Sequence, residues 1–205
     1  MKALLPVALV SALCSSVALA HNAGDIFVRG GLATVMPNES SDDVLNTGEF
    51  EADNNTQIGL TLSYMLTDQF GVELLAATPF THTVSTKGLG DIAEVSHLPP
   101  SVMAQYYFGQ ANSSVRPYIG AGLNYTVFFD EKSEGQLAGK DVNLDNSFGL
   151  AAQVGVDVNI AENWFANASL WYMDINTDVH VEGVSQSFNA DLDPITFMAS
   201  IGYTF

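Results

Sequence analysis

Apolar residues recur at every second position in run after run of this chain, and a period of two places them on one face of a pleated strand. The C-terminal residues show it most plainly: Ile195, Phe197, Ala199, Ile201, Tyr203 and Phe205 form one face, and Thr196, Met198, Ser200, Gly202 and Thr204 the other. The same division separates Ile58, Leu60, Leu62 and Tyr64 from Gln57, Gly59, Thr61 and Ser63. The pattern predicts eight strands, at 25–36, 56–66, 70–79, 97–108, 115–129, 147–159, 164–176 and 193–205. Each reaches the ~9–11 residues that a tilted strand needs to cross a bilayer. The connections 67–69, 109–114 and 160–163 are short, whereas 37–55, 80–96, 130–146 and 177–192 are long. That alternation predicts an all-β fold, an eight-stranded antiparallel transmembrane β-barrel with short periplasmic turns and long outer loops.

A soluble barrel or sandwich shares the period but turns its apolar face inward. Here the second faces carry Gly, Ala, Ser and Thr rather than the Lys and Glu of a solvated surface, and the apolar faces end in aromatics. Tyr64, Phe70, Tyr106, Phe108, Trp164, Tyr203 and Phe205 are expected to ring the periplasmic boundary. Phe80, Tyr125, Phe129, Phe148, Tyr172 and Phe197 are expected near the outer one, giving two aromatic girdles. Proline agrees, because a closed barrel has no edge strand on which to hide a missing donor. Pro37, Pro79, Pro99, Pro100, Pro117 and Pro194 all fall within a few residues of an expected strand end.

Composition explains how an acidic chain can be oily. The 205 residues carry 6 Lys and Arg against 23 Asp and Glu, a formal net charge of −17, which excludes the basic footprint of a nucleic-acid binder. Charged residues make up only 14%, against roughly 25% in an ordinary soluble domain. The acids gather in the long connections, among them Glu39, Glu51, Asp53, Asp91, Glu94, Asp141, Asp145, Asp178 and Asp191. Ahead of the strands, Lys2, the apolar run from Ala3 to Ala18 and the small-x-small step Ala18-Leu19-Ala20 read as an export signal over 1–20, leaving 21–205 as the barrel. Cys14 lies inside that segment, so no thiol remains for a disulfide, a metal or a nucleophile. No later stretch approaches the ~18 apolar residues of a membrane helix, so a membrane-spanning form of this chain must be a closed barrel.

Several stretches resemble a known family. Asn54-Asn55-Thr56-Gln57-Ile58-Gly59-Leu60, the run Gly71 to Phe80, His97-Leu98-Pro99-Pro100, Arg116 to Tyr125 and Trp171-Tyr172-Met173-Asp174-Ile175 are similar to the W-type outer membrane proteins, the OmpW family. The resemblance covers essentially all of 21–205. It implies a barrel in the outer membrane of Gram-negative bacteria, set among membrane lipid and lipopolysaccharide, with a narrow hydrophobic lumen that admits small apolar or amphipathic molecules. It also implies an alternative role, a non-conducting barrel whose acidic loops serve as a surface receptor for bacteriocin or phage, or as an adhesion element. Leu75 and Trp171 match positions that form a hydrophobic constriction in the family, although both side chains equally suit simple packing. Ile201, Tyr203 and Phe205 resemble the terminal-strand signal read by the barrel assembly machinery.

Eight strands enclose an interior just wide enough to be filled by side chains, which excludes a broad aqueous pore. By alternation the inward residues include Phe27, Met103, Tyr118, Phe128, Met173 and Ile175, an apolar lumen lining. Arg29, Glu73, Arg116 and Asp157 also point inward near the periplasmic rim; their charges sum to zero, and buried charges persist when paired. A salt-bridged plug with Gln105 and Tyr107 is therefore expected at the bottom of the lumen. An enzyme reading has only His82, His97 and His180 with Ser96 or Asp178 to offer, and no Gly-x-Ser-x-Gly elbow exists. His21 offers a lone terminal imidazole, a poor basis for a metal site. Neither catalysis, cofactor nor metal is expected; the expected partners are small hydrophobic solutes, lipid and the assembly machinery.

Overall fold

A computed structural model of the chain describes residues 21–41 and 49–205; the expected signal, 1–20, and the acids Asp42 and Asp43 lie outside these residues. The strands run in chain order as β1 (Ile26–Met36), β2 (Ser40–Ser41), β3 (Phe50–Ala52), β4 (Asn55–Met65), β5 (Phe70–Ala77), β6 (Phe80–Thr86), β7 (Gly90–Leu98) and β8 (Ser101–Tyr107). They continue as β9 (Val115–Ser133), β10 (Val142–Leu144), β11 (Ser147–Asn159), β12 (Trp164–Met173), β13 (Asn176–Val181), β14 (Phe188–Asp191) and β15 (Ile195–Thr204). Eight of them, β1, β4, β5, β8, β9, β11, β12 and β15, pair antiparallel with their neighbours in that order, and β15 pairs back onto β1. The closing seam is a full ladder from Phe27↔Thr204 to Met36↔Ile195, so no barrel edge is left open there.

The eight expected strands are the eight staves, with differences at their outer ends. Thr78-Pro79 ends β5, and Pro99-Pro100 separates β7 from β8, so His97 and Leu98 belong to an outer hairpin rather than to a stave. The β5–β8 ladder stops at Leu75↔Ser101 and the β6–β7 ladder begins at Phe80↔His97, with the three prolines between them. Proline has no N–H to give, which is why the ladder lapses there. The break also changes phase: Gly71, Glu73 and Leu75 face inward on β5, whereas Phe80 and His82 face inward on β6. Phe80 is consequently buried, at 2% exposure, and does not join the outer girdle. Phe129 is only partly exposed.

The long connections are not plain loops. The outer end of β9 extends into the sheet β9-β7-β6-β3, and β10, β13, β14 and β2 form a second, four-stranded sheet. Short alternating runs explain this: Val142 and Leu144 flank Asn143, Val179 and Val181 flank His180, and Phe188 and Ala190 flank Asn189. Their apolar members close over Phe50, Ile92 and Leu137 as an outer cluster, while Asp141, Asp145 and Asp178 are exposed. On the staves, Leu32, Leu60, Leu74, Leu123, Leu150, Leu170 and Ile201 are exposed outward, the surface that lipid covers. Tyr125, Phe148, Tyr172 and Phe197 are exposed toward the outer end, and Phe70, Tyr106, Phe108, Trp164 and Phe205 toward the short turns. Edge-to-face contacts link the lower row: Phe70–Tyr106 at 5.1 Å, Trp164–Tyr203 at 4.9 Å and Tyr203–Phe205 at 5.2 Å.

Candidate functional site: a lumen in three layers

The bottom layer is polar and closed. Arg29 on β1 is fully buried, and each of its donors is used. Its Nε and Nη2 donate to Asp157 at 3.3 and 2.7 Å, Nη1 donates to Ser63 Oγ at 3.3 Å and to Glu73, and Nη2 also donates to Tyr107 Oη at 2.7 Å. The Tyr107 hydroxyl donates to Gln105 Oε1 at 2.9 Å, and Gln105 Nε2 donates to Glu73 at 2.8 Å and to Gln153 at 2.9 Å. Asn167 Nδ2 completes Asp157 at 2.7 Å, and Ser200 Oγ reaches Asn167. The network draws a side chain from every stave once Tyr118 on β9, bonded by Asn167 at 3.0 Å, is included. A satisfied network of this kind is the condition under which charges persist in a low-dielectric interior.

Three members of the expected lumen sets sit differently. Arg116 makes no ion pair among the described residues: it donates to the backbone carbonyls of His21 at 2.9 Å and Asp68 at 2.6 Å, with its guanidinium 5.0 Å from the Tyr107 ring centre. The reason is position, since Arg116 lies at the rim, where turn carbonyls converge, one layer below the carboxylates. Phe27 and Tyr118 face the lumen but line the plug rather than an apolar passage; with Met65, Tyr107 and Phe165 they form a closed aromatic layer around Arg29. Their ring centres stand 4.7 and 5.2 Å from its guanidinium carbon.

Sequence reasoning missed His21. It is fully buried, its Nε2 is 3.0 Å from Asp157 Oδ2, and its ring stacks on Phe27 with centroids 4.0 Å apart. Backbone bonds from Gly24 to Met65 and from Asp25 to Asn22 fold the chain up into the barrel mouth. Nothing in the alternation signals this, because a residue ahead of the first strand has no face to count.

The middle layer is apolar. Leu75 on β5 and Trp171 on β12 are both buried and line one pinched cavity together with Ala33, Phe80, Met173 and Met198. Trp171 Nε1 donates to Ser169 Oγ at 3.1 Å, which fixes the indole in the lumen. Met103, Phe128 and Ile175 belong to the same cluster, and the last two also line the cavity above.

The outer layer widens. One cavity, of about 450 Å³ counting its open mouth, is walled by Val35, Val84, Val95, Phe128, Ile175 and Leu192, with His82 and His97 in its side. A second, about 720 Å³ on the same measure, shares Ala52, Val84, Val95, Leu144 and Leu192 with the first and reaches the outer cluster. Its walls are apolar apart from Glu39 and Thr177. Of the candidate catalytic groups, His82 and His97 meet, with their Nε2 atoms 3.1 Å apart, whereas Ser96 Oγ bonds Thr81 Oγ1 at 2.9 Å and His180 stands exposed, 3.3 Å from Asp145. Among the described residues no three His, Cys, Asp or Glu are placed to hold a metal ion together. Ile201 and Phe205 lie on the exposed face of β15 with Tyr203 between them, and the Phe205 N–H donates to the Ile26 carbonyl at 2.9 Å.

This layered barrel has known counterparts. The model of the OmpW family matches residues 22–205. Outer membrane protein W of Vibrio cholerae is 51% identical, with 97% of each chain covered, and that of Escherichia coli is 52% identical over 96% of this chain and 95% of the relative. The crystal structure of OprG from Pseudomonas aeruginosa superposes with a TM-score of 0.83 at 40% identity, covering 92% of this chain and 99% of the other. A more distant relative, 27% identical over 77% of this chain and 75% of its own, is the dibenzothiophene metabolism operon protein PahQ of Pseudomonas aeruginosa. The chain belongs to the OmpW family and is an eight-stranded β-barrel of the outer membrane.

Proposed function

We propose that the protein takes small hydrophobic and amphipathic molecules from the outside into its upper lumen, as a narrow conduit gated by Leu75 and Trp171. The observation that carries this is the run of adjoining apolar cavities from the outer strands down to that pair. Such walls bind an alkyl chain by burying it, at about 0.8 kcal/mol per CH₂, whereas an ion there loses hydration with no polar replacement. A relative named for dibenzothiophene metabolism, an uncharged aromatic compound, supports the solute class. The reading is tested by uptake of a small hydrophobic fluorescent probe into liposomes holding the reconstituted barrel. Trp171→Arg puts a charge in the apolar neck and is expected to cut uptake several-fold while the barrel stays folded, because the position faces the lumen and not lipid. If uptake is unchanged in Trp171→Arg and equal to that of empty liposomes in the parent, the conduit reading fails and the loop-receptor role takes its place.

A further inference from the structure

The two histidines in the wall of the outer cavity are ordered by their hydrogen bonds. His82 Nδ1 lies 2.6 Å from the Asp53 carbonyl oxygen, which only accepts, so the neutral tautomer that fits this bond carries its proton on Nδ1 and presents a lone pair at Nε2. His97 Nε2 lies 3.1 Å from that lone pair, with the ring centroids 5.1 Å apart and the two nitrogens pointing at one another. His97 must therefore donate from Nε2, and its Nδ1 is left as an acceptor. That Nδ1 is buried and has no partner among the described residues. Phe80 and Phe128 pack against the ring, with centroids 5.6 and 5.9 Å away. An unpartnered buried acceptor is unfavourable, and a ligand donor removes that penalty. Residue 97 stands in the outer extension, beyond the membrane-spanning staves. There burial, helped by the neighbouring His82, lowers the pKa of His97 to about 3, so the ring is neutral at ordinary pH and offers no cation to a carboxylate.

We propose that His97 Nδ1 is the head-group subsite of the outer cavity, and that the solutes held best are amphiphiles bearing one hydrogen-bond donor, such as an alcohol or phenol. The aliphatic walls of Val35, Val84, Val95 and Leu192 take the tail. This rests on the conduit reading and narrows its substrate class. Octan-1-ol and octyl methyl ether form the test pair, since the ether keeps the chain and the oxygen but has no donor. Binding of each to the full barrel in lipid nanodiscs, corrected for partition into protein-free nanodiscs, is expected to favour the alcohol about tenfold. His97→Phe, verified as folded by its heat-shifted electrophoretic mobility, is expected to bring that ratio to about one with ether binding retained. Equal corrected binding of both probes to the parent overturns the head-group subsite and leaves the conduit standing; no corrected binding of either overturns both. A ratio that survives in His97→Phe also overturns the assignment, and if that variant does not fold, the parent's ratio alone decides.

Discussion

Arg29 shows why the bottom of the lumen is polar at all. One guanidinium with all its donors engaged ties β1 to the carboxylates of β5 and β11 and to the Tyr107 hydroxyl, and no smaller group spans that distance. Replacing Asp157 by Leu leaves Arg29 and His21 short of their acceptor, and we expect a loss of about 3–5 kcal/mol, the scale for breaking a buried pair. In a double-mutant cycle by urea unfolding in lipid vesicles, Asp157→Leu with Arg29→Met is expected to recover part of it; strictly additive losses would show that the two do not act as a pair. Gly202 makes the packing argument from the other side. A Cβ there would lie 2.1 Å from the Phe165 ring, which is itself walled in by Phe27 and His21, so Gly202→Ala is expected to destabilise by a few kcal/mol in the same assay. His97 gives a pH dependence whose sign is fixed. Its folded pKa, about 3, lies below the ordinary value of 6.5, so the unfolded chain binds the extra proton. Stability should fall as pH drops from about 6.5 toward 3, and His97→Phe should flatten that part of the pH profile of unfolding.

At the scale of the strand, β15 carries two duties on opposite faces. Thr196, Met198, Ser200, Gly202 and Thr204 turn inward, while Ile195, Phe197, Ile201 and Phe205 meet lipid, and the backbone between them closes the barrel onto β1. Deleting Phe205 removes the bond to Ile26 and the aromatic contact with Tyr203, and is expected to lower the amount of heat-modifiable barrel in outer-membrane fractions; undiminished assembly would count against a terminal signal. Alternation made the eight staves legible because lipid outside and a packed lumen inside impose a strict period of two on every residue between the girdles. It failed where that constraint stops. The runs Val142-Asn143-Leu144 and Phe188-Asn189-Ala190 are too short to stand out among acids, and Phe80 was placed on the wrong face because the Thr78-Pro79 break reverses the parity that counting assumes. The count placed Arg29, Glu73 and Asp157 inward beside Gln105 and Tyr107, which bond Glu73 and Arg29, but it did not separate Arg116 or find His21: the count gives a face, not a depth, and these two differ in depth and in partner.

For the whole molecule, the layers act in series. On the conduit reading, the apolar neck at Leu75 and Trp171 is expected to hold back ions by dehydration, whereas the layer beneath it is filled by Tyr107, Tyr118, Phe27 and Phe165 around a bonded charge network. An ion crossing the barrel must pass both, so the larger barrier governs conductance, and opening the smaller one alone changes little. The conduit reading has an apolar solute enter from cavities that lie above the plug and reach the neck first. The two kinds of traffic should therefore separate under mutation. In planar bilayers Trp171→Ala is expected to leave ion conductance near the parent's low level while it alters uptake of the hydrophobic probe. Tyr118→Ala, which removes a ring from the lower layer and the hydroxyl that Asn167 and Gln153 bond, should raise conductance only modestly by itself. The double variant, with both layers thinned, should conduct several-fold more than either single one. Conductance that rises fully with Trp171→Ala alone would place the whole ion barrier at the neck and leave the plug with no part in closing the barrel.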